Sequence, residues 1–220
     1  MNEKSGSPTG ERLMTMYGRL LDHFGPQEWW PAETPFEMMV GSVLTQNTSW
    51  SNVEKALSNL EREGLLDVGR LRAVGTEALA LAIRPAGYYN VKAKRLKNLV
   101  ELIVERYGGD VPSMLVEDPE ALRSALLGVS GIGPETADSI VLYAAGHPVF
   151  VVDAYTHRIL SRHDLVDEGA SYDEIQATFS DALPEDVPLF REFHALIVMA
   201  GKTYCRKRPL CERCPIQGLE

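Results

Sequence analysis

LLGVSGIGPETA, residues 126–137, sets two glycines one apolar residue apart and follows them at once with Pro134. The chain can turn sharply at Gly131 and Gly133 because neither residue carries a Cβ that would clash. Proline suits the first turn of a helix, where its missing amide proton costs nothing. The stretch therefore predicts two helices joined by a tight turn, whose free amides form a natural phosphate site. An ordinary helix–helix turn also fits, because Gly-x-Gly alone is a weak signal.

Helical periodicity dominates the rest of the chain, and some ten helices with short connections are expected. Apolar residues recur three and four positions apart on three faces: Phe36, Met39, Val40, Val43 and Leu44; Leu96, Leu99, Val100, Ile103 and Tyr107; and Phe190, Phe193 and Ile197. Residues 149–152 form the only strand-like run. The polar stretch 1–12 has no apolar signal core and predicts a disordered leader on a cytosolic protein.

The charge balance is acidic, with 31 acidic and 22 basic residues and a net charge of −9. Taken alone, this charge argues against a nucleic-acid partner, but phosphate contacts depend on the local field and on backbone donors. No stretch approaches the roughly 18 consecutive apolar residues of a membrane span. Basic residues do cluster, either as solvated helix faces or as phosphate contacts: Lys92, Lys94, Arg95 and Lys97; Arg158 and Arg162; and Arg206, Lys207 and Arg208.

A second motif, VVDAYTHR, begins at residue 151 and places Asp153 twenty residues after Gly133. Aspartate is favoured at a helix N-cap, and a helical pattern follows it. The alternative is a functional carboxylate. Both can hold together, because a capping position fixes the carboxylate geometrically.

These two motifs and their spacing resemble the helix-hairpin-helix DNA glycosylases of the endonuclease III superfamily. Members grip a DNA phosphate through the hairpin amides and carry an essential Asp in a Val-Asp-x-x-x-x-Arg context. The resemblance runs from about Phe36 to Cys214. It implies an all-α fold with two lobes and a DNA cleft between them. One lobe would be residues 36–145, and the other would join 1–35 to 146–220.

The resemblance also implies roles for individual residues. Asp153 would be the catalytic carboxylate. Gln46, in the segment 43–48, would wedge into the space left by the extruded base, and the segment 87–94 would be mostly structural. The implied DNA contacts are Gln46, Gly131, Gly133, Thr136, Lys92, Arg206, Lys207 and Arg208.

Two features of the sequence indicate the subclass. Bifunctional members carry a lysine directly after Gly-x-Gly-x, where it forms a Schiff base, but here that residue is Glu135. The tryptophans Trp29, Trp30 and Trp50 resemble those of the 3-methyladenine branch of the superfamily. The substrates of that branch are often cationic purines, which suit stacking on aromatic faces. The implied base pocket is Trp29, Trp30, Trp50 and Glu135, although the tryptophans could serve packing alone.

The three cysteines, Cys205, Cys211 and Cys214, cluster near the end of the sequence and argue for a metal or thiol site. The family's iron–sulfur loop spaces four cysteines by six, two and five residues. Here the spacings are five and two, and the fourth position is Glu220. Since a [4Fe-4S] cluster normally takes four thiolates, either it is absent or its fourth ligand is missing or not a cysteine.

The expected function is removal of a damaged base from double-stranded DNA by hydrolysis of its N-glycosidic bond, after base flipping. The enzyme would be monofunctional, monomeric and cytoplasmic, associated with the nucleoid, and its substrate an alkylated purine. Three alternatives remain: a bifunctional lyase acting on oxidised pyrimidines, a non-catalytic DNA-binding module, and an inactivated paralogue.

Overall fold

The computed structural model describes residues 6–219 and is all-α in that range, with no strand. This confirms the predicted fold class. The α-helices are Pro8–Phe24 (α1), Pro35–Leu44 (α2), Trp50–Arg62 (α3), Val68–Ala73 (α4), Thr76–Ala82 (α5), Tyr89–Tyr107 (α6), Val111–Leu115 (α7), Pro119–Leu127 (α8), Pro134–Ser139 (α9), Ala154–Arg162 (α10), Tyr172–Ala182 (α11) and Val187–Thr203 (α12). Short 3₁₀ turns cover Arg84–Ala86 and Cys211–Arg213, and a π-helical turn covers Ile140–Ala144. None of the helices in this range is long and apolar enough to cross a membrane.

The predicted disordered leader is wrong from Pro8 onward, and residues 1–5 lie outside the described range. Ser7 caps α1 by accepting a hydrogen bond from the amide of Gly10, and Pro8 occupies the first helical turn. Leu13 and Met16 are fully buried along the same helix. A polar start therefore hides an amphipathic helix, because the capping residues themselves are polar.

The chain divides into two compact units. Within the described residues, the first unit joins 6–29 to 148–219, and the second is 30–147. The first boundary lies before Trp30, whereas the predicted boundary followed residue 35. Trp30 belongs to the second unit because its ring lies 5.3 Å from that of Trp50 and 5.5 Å from that of Tyr143.

In the second unit, the predicted apolar faces of α2 and α6 form the core. Phe36, Met39, Val40, Val43 and Leu44 are all buried, and α2 packs against α6, α3 and the π-helical turn. On α6, the predicted face is buried as far as Ile103. The core of the second unit is therefore formed by two helices that the apolar repeats of the sequence predict.

In the first unit, the strand-like run 149–152 is extended but pairs with no strand. Gln176 donates its side-chain amide to the carbonyl of Phe150 at 2.7 Å, and the amide of Val152 donates to the hydroxyl of Tyr172 at 3.4 Å. Side chains of α11 thus take the place of a neighbouring strand. The ring of Phe150 stacks on Phe179 of α11 at 3.5 Å and meets the rings of Phe190 and Phe193 of α12 edge to face.

Helices α10 and α12 of the first unit pack closely. The packing depends on Gly201, because a Cβ at that position would lie 2.3 Å from the Tyr155 ring. This close approach brings the start of α10 against the last turn of α12.

Candidate functional site

The hairpin, residues 128–133 between α8 and α9, has its carbonyls held from within the second unit. Asn98 donates to the carbonyl of Ser130 at 3.0 Å, and Gln46 donates to that of Gly131 at 3.2 Å. Among the described residues, the amides of Gly131 and Gly133 donate to no backbone carbonyl. Both glycines are exposed. The hairpin therefore presents donors outward, as an anion site requires.

Two residues fix the hairpin more firmly than the sequence indicated. Arg95 lies over Gly131, whose φ is 96° and where a Cβ would meet the arginine Cγ at 2.4 Å. The same guanidinium donates to the side-chain oxygen of Gln46. Gln46 also donates to the hydroxyl of Thr136 at 2.9 Å. Both ends of the side-chain amide of the predicted wedge residue are thus engaged, the oxygen by Arg95 of α6 and the nitrogen by the hairpin and α9.

An ion pair joins the two helices that flank the hairpin. Arg123 on α8 contacts the fully buried carboxylate of Asp138 on α9 through two hydrogen bonds, of 2.6 and 3.1 Å. Such a bidentate pair fixes geometry as well as adding energy. The angle between α8 and α9 is therefore set independently of any bound anion.

Two predicted DNA contacts need correction. Lys92 is 1% exposed, and its ammonium donates to the carbonyls of Leu44 and Ala86 at 2.8 Å each. It ties two segments together and has no surface for a phosphate. Thr136 is buried, and its hydroxyl accepts from Gln46, so its side chain serves the inside of the hairpin.

Asp153 is the N-cap of α10, as predicted. Its Oδ1 accepts from the amide of Thr156 at 2.7 Å and from the Thr156 hydroxyl at 2.9 Å. The Asp153 side chain is 12% exposed. One carboxylate oxygen is therefore occupied by the cap, and the other, Oδ2, keeps its capacity to act on a reacting group.

His194, on α12, is a site residue that was not predicted from the sequence. Its Nε2 lies 3.9 Å from Oδ2 of Asp153, and the residue is 6% exposed. Burial lowers the pKa of His194, while the nearby Asp153 charge raises it. No local pattern marks this histidine, because its partner lies 41 positions earlier in the chain.

The predicted base pocket is brought together only in part. Trp30 and Trp50 meet edge to face at 5.3 Å in the second unit, and Tyr143 joins them. Trp29 belongs to the first unit. Glu135 is exposed in the first turn of α9. The aromatic group of the second unit is therefore smaller than the predicted set and includes a tyrosine that was not predicted.

The segment 87–94, predicted to be mostly structural, contains both a buried residue and an exposed aromatic residue. Lys92 fits the structural interpretation, but Tyr88 is 72% exposed and adopts a left-handed backbone with φ of 45°. Exposed aromatic rings of this kind can stack on unpaired bases. Spacing alone could not reveal this exposure.

The three cysteines line one cavity of about 510 Å³ in the first unit. Arg162, which also lines it, donates to the sulfur of Cys205 at 3.2 Å. Arg12 lines it as well, and its buried Nε has no hydrogen-bond partner among residues 6–219. Burial raises the pKa of the Cys214 thiol. Two guanidinium groups around three sulfurs suit an anionic occupant.

The side chains that line this cavity bear on whether it could hold a single metal ion or an iron–sulfur cluster. Within the described range, no three His, Cys, Asp or Glu side chains are arranged to hold a single metal ion. A [4Fe-4S] cluster normally takes four thiolates, and the described range supplies the three cysteines that line the cavity. Three thiol donors fit three corners of a cubane. The fourth predicted position, residue 220, lies outside the described residues.

The basic triplet Arg206, Lys207 and Arg208 is exposed beside the cysteines. Arg206 is partly tied back, because its Nε donates to the carbonyl of Lys202 at 2.9 Å. From α10, Arg162 donates to the carbonyl of Arg206 at 2.7 Å, and Arg158 donates to that of Cys205 at 2.7 Å. The loop is thus fastened to α10 by protein contacts.

Comparison with known proteins gives a consistent result. Residues 40–185 match the model of the HhH-GPD superfamily base excision DNA repair proteins. A protein of Methanocaldococcus jannaschii that carries the name of a DNA repair glycosylase is 50% identical over 208 residues, covering 94% of each chain. Endonuclease III of Thermotoga maritima is 32% identical over 181 residues, which are 82% of this chain and 79% of that protein.

Solved structures agree with the sequence matches. The crystal structure of H. pylori 3-methyladenine DNA glycosylase bound to 1,N6-ethenoadenine is 30% identical, with a TM-score of 0.74, and the match covers 88% of this chain and 96% of that one. A non-covalent complex of endonuclease III with DNA is 25% identical, with a TM-score of 0.81, and covers 95% and 94%.

Proposed function

Since the chain belongs to the HhH-GPD superfamily of base excision DNA repair proteins, we propose that it is a monofunctional DNA glycosylase with Asp153 as its catalytic carboxylate. The observation that carries the proposal is the capped carboxylate: Thr156 holds Oδ1 at 2.7 and 2.9 Å, and Oδ2 is not used by the cap. An N-cap provides this geometry without any ligand.

The reaction follows from this carboxylate. As the C1′–N bond of the flipped nucleotide breaks, the bonding electron pair leaves with the base, and the sugar gains oxocarbenium character. The negative charge of Asp153 stabilises that cation. A water oxygen then bonds to C1′, and its proton passes to the carboxylate. The product is an abasic site on an unbroken strand.

The monofunctional assignment is supported by Glu135. A lyase reaction of the Schiff-base type needs an amine that attacks C1′ of the sugar, and a carboxylate cannot form an imine. Glu135 occupies the exposed first turn of α9, directly beside the hairpin. It therefore lies where the bifunctional members carry their lysine.

For the substrate, we propose an alkylated purine. The H. pylori relative is named for 3-methyladenine and holds 1,N6-ethenoadenine, another modified adenine. In this chain, Trp30, Trp50 and Tyr143 form an aromatic group in the second unit. Aromatic faces favour a cationic alkylated base over a neutral one.

For DNA binding, we propose that the hairpin amides of Gly131 and Gly133 hold one backbone phosphate. The carbonyls of Ser130 and Gly131 already have partners in Asn98 and Gln46, which hold the turn in place without a bound anion. The net charge of −9 then matters less than these local donors.

For the cofactor, we propose that Cys205, Cys211 and Cys214 hold an iron–sulfur cluster in the 510 Å³ cavity. When bound, such a cluster supplies a one-electron redox centre and cross-links the loop that carries its ligands. Arg162 would donate to the Cys205 thiolate, and Arg12 would offset the negative charge. Iron and sulfide analysis of protein purified without oxygen tests this assignment, and a Cys205→Ser, Cys211→Ser double variant is its control.

The test of function uses end-labelled duplexes that each contain one altered base: a methylated purine, an oxidised pyrimidine or a deaminated base. We expect release of the methylated purine, strand breaks only after alkali, and no covalent adduct on borohydride treatment. A trapped adduct would overturn the monofunctional assignment. Release of another base alone would overturn the proposed substrate class. Release of no base from any duplex would overturn the proposed glycosylase activity.

A further inference from the structure

A buried imidazole lies against the catalytic carboxylate. His194 is in the middle of α12, and its side chain is 8% exposed, beside an Asp153 side chain that is 12% exposed. Because α12 packs against α10, the ring comes from a different helix than the one that Asp153 caps. The two oxygens of one carboxylate thus face two helices: Oδ1 faces Thr156, and Oδ2 faces Nε2 of His194.

This arrangement restricts the carboxylate in a way that the cap alone does not. Rotation about the Cβ–Cγ bond of Asp153 moves both oxygens together, and the bonds from Thr156 restrain it at Oδ1. A second partner at Oδ2 restrains the same rotation from another helix. The separation of 3.9 Å exceeds a hydrogen bond in the free protein. Such contacts often tighten only when the substrate is bound.

The protonation state of the ring decides whether it helps or harms. Burial lowers the pKa of His194, the charge of Asp153 raises it, and Lys202 on the same helix lowers it. An Nε2 without a proton would turn a lone pair toward an anionic oxygen, which is repulsive. An Nε2 with a proton would donate toward that oxygen and favour its charged form.

We propose that His194 is a positioning residue for Asp153: its Nε2 carries a proton, faces Oδ2 and fixes the orientation of the carboxylate toward the sugar and the attacking water. The inference rests on the proposed role of Asp153. The sequence does not reveal it, because the pair joins residues of α10 and α12 through tertiary packing.

The first test needs no substrate. Nitrogen-15 NMR of the histidine rings at neutral pH should show a proton on Nε2 of His194, and Asp153→Ala should change that ring's signals. His157, whose Nε2 lies 2.9 Å from the carbonyl of Glu168, serves as the internal reference. An Nε2 of His194 without a proton overturns the proposal, whatever the enzyme does to DNA.

The second test uses paired variants. His194→Leu should lower the single-turnover rate of base release by roughly tenfold or more, the loss typical of a residue that orients a functional group. Affinity for a duplex with an abasic-site analogue should stay within about twofold of the parent's. His194→Gln keeps an N–H donor and should recover most of the rate. His157→Gln, the matched control, should leave the rate unchanged.

The outcomes separate the two proposals. A His194→Leu protein with the parental rate, or a rate loss that His194→Gln does not relieve, overturns the positioning role. If His194→Leu fails to fold, the NMR measurement decides the proposal. A parent that releases no base from any duplex overturns the glycosylase instead, and the ring-proton measurement then decides the contact alone.

Discussion

The two oxygens of the Asp153 carboxylate have different environments, and each environment can be removed separately. Oδ1 belongs to the helix cap through Thr156, while Oδ2 faces His194 at 3.9 Å. A substitution that changes the charge but keeps the cap therefore isolates the chemical role. Asparagine does this, because it caps a helix about as well as aspartate does.

We expect Asp153→Asn to slow base release by at least roughly 100-fold, because the developing cation loses its counter-charge. Affinity for damaged duplex should be nearly unchanged. Single-turnover base release and fluorescence anisotropy measure the two effects. Asp186→Asn is the matched control, since Asp186 caps α12 in the same unit by accepting from Leu189 at 2.7 Å. Parental turnover by Asp153→Asn would end the catalytic assignment.

Lys92 gives a prediction about stability. Burial lowers its pKa from 10.5 to about 8, with Arg95 contributing to the same direction. Between these values the unfolded chain binds a proton that the folded protein does not, so the free energy of unfolding rises with pH. The stability of the parent relative to Lys92→Met should therefore rise by roughly 3 kcal/mol from pH 8 to 10.5. Urea unfolding measures it.

The control for Lys92 is Lys94→Met, which removes an exposed lysine of the same helix. Its stability difference from the parent should stay flat over that pH range. A flat difference for Lys92→Met as well would show that the buried ammonium keeps its proton.

At the scale of elements, helices with a strong apolar repeat could be predicted from sequence, and contacts between helices could not. The faces of α2 and α6 were visible because burial alone sets their spacing. The start of α1 was missed because its cap and first turn are polar. Arg95 and His194 were missed because their partners, Gln46 and Asp153, lie far away in the sequence.

The wrong prediction for Lys92 has the same origin. A lysine in a basic run reads as a phosphate contact, yet its ammonium joins two segments from inside. A charge pattern in the sequence shows which side chains are polar enough to be exposed to solvent. The tertiary packing of α6 determines which of them are exposed. The cap role of Asp153 was predictable because it depends only on local sequence.

The hairpin yields a prediction for an element. Gly131→Ala should destabilise the protein by roughly 1–3 kcal/mol, because φ is 96° and the new Cβ would meet Arg95 at 2.4 Å. Affinity for damaged and undamaged duplex should fall together, since both use the same phosphate site. Thermal unfolding and anisotropy measure these effects.

Gly75→Ala is the control for the hairpin variant. Gly75 has a φ of −64° and open space around its Cβ position. Because Gly75 is the N-cap of α5, where alanine is less favourable than glycine, the variant should cost some stability but leave affinity for DNA unchanged. If Gly131→Ala weakened only the damaged duplex, the hairpin would be contributing to base recognition instead of phosphate binding.

At the scale of the whole molecule, an acidic protein is proposed to bind a polyanion, so its few basic clusters should carry most of the salt dependence. Replacing Arg206, Lys207 and Arg208 with Gln should weaken binding to damaged and undamaged duplex alike. The slope of log affinity against log salt should flatten by up to about 0.9 for each phosphate that the protein no longer neutralises. Anisotropy titrations at several salt concentrations measure it.

Lys55, Arg62 and Arg70 provide the charge-matched control, because all three are exposed and have no assigned role. Replacing them with Gln makes the same change in net charge. An equal flattening in both triple variants would mean that overall charge, and not the loop beside the cysteines, sets the salt dependence. A loss of affinity confined to damaged duplex would place that loop near the base instead.

The first unit consists of chain segments that precede and follow the second unit in sequence, and this affects how the protein folds during synthesis. Helix α1 packs against α11 and α12, whose residues are translated more than 140 positions after it ends. At about 5–20 residues per second, a ribosome leaves the apolar face of α1 without its partners for roughly ten seconds. The second unit, 30–147, is continuous and can fold during that interval. Leu13, Met16 and Leu20 are therefore apolar residues that a chaperone can bind on the nascent chain before α11 and α12 are translated.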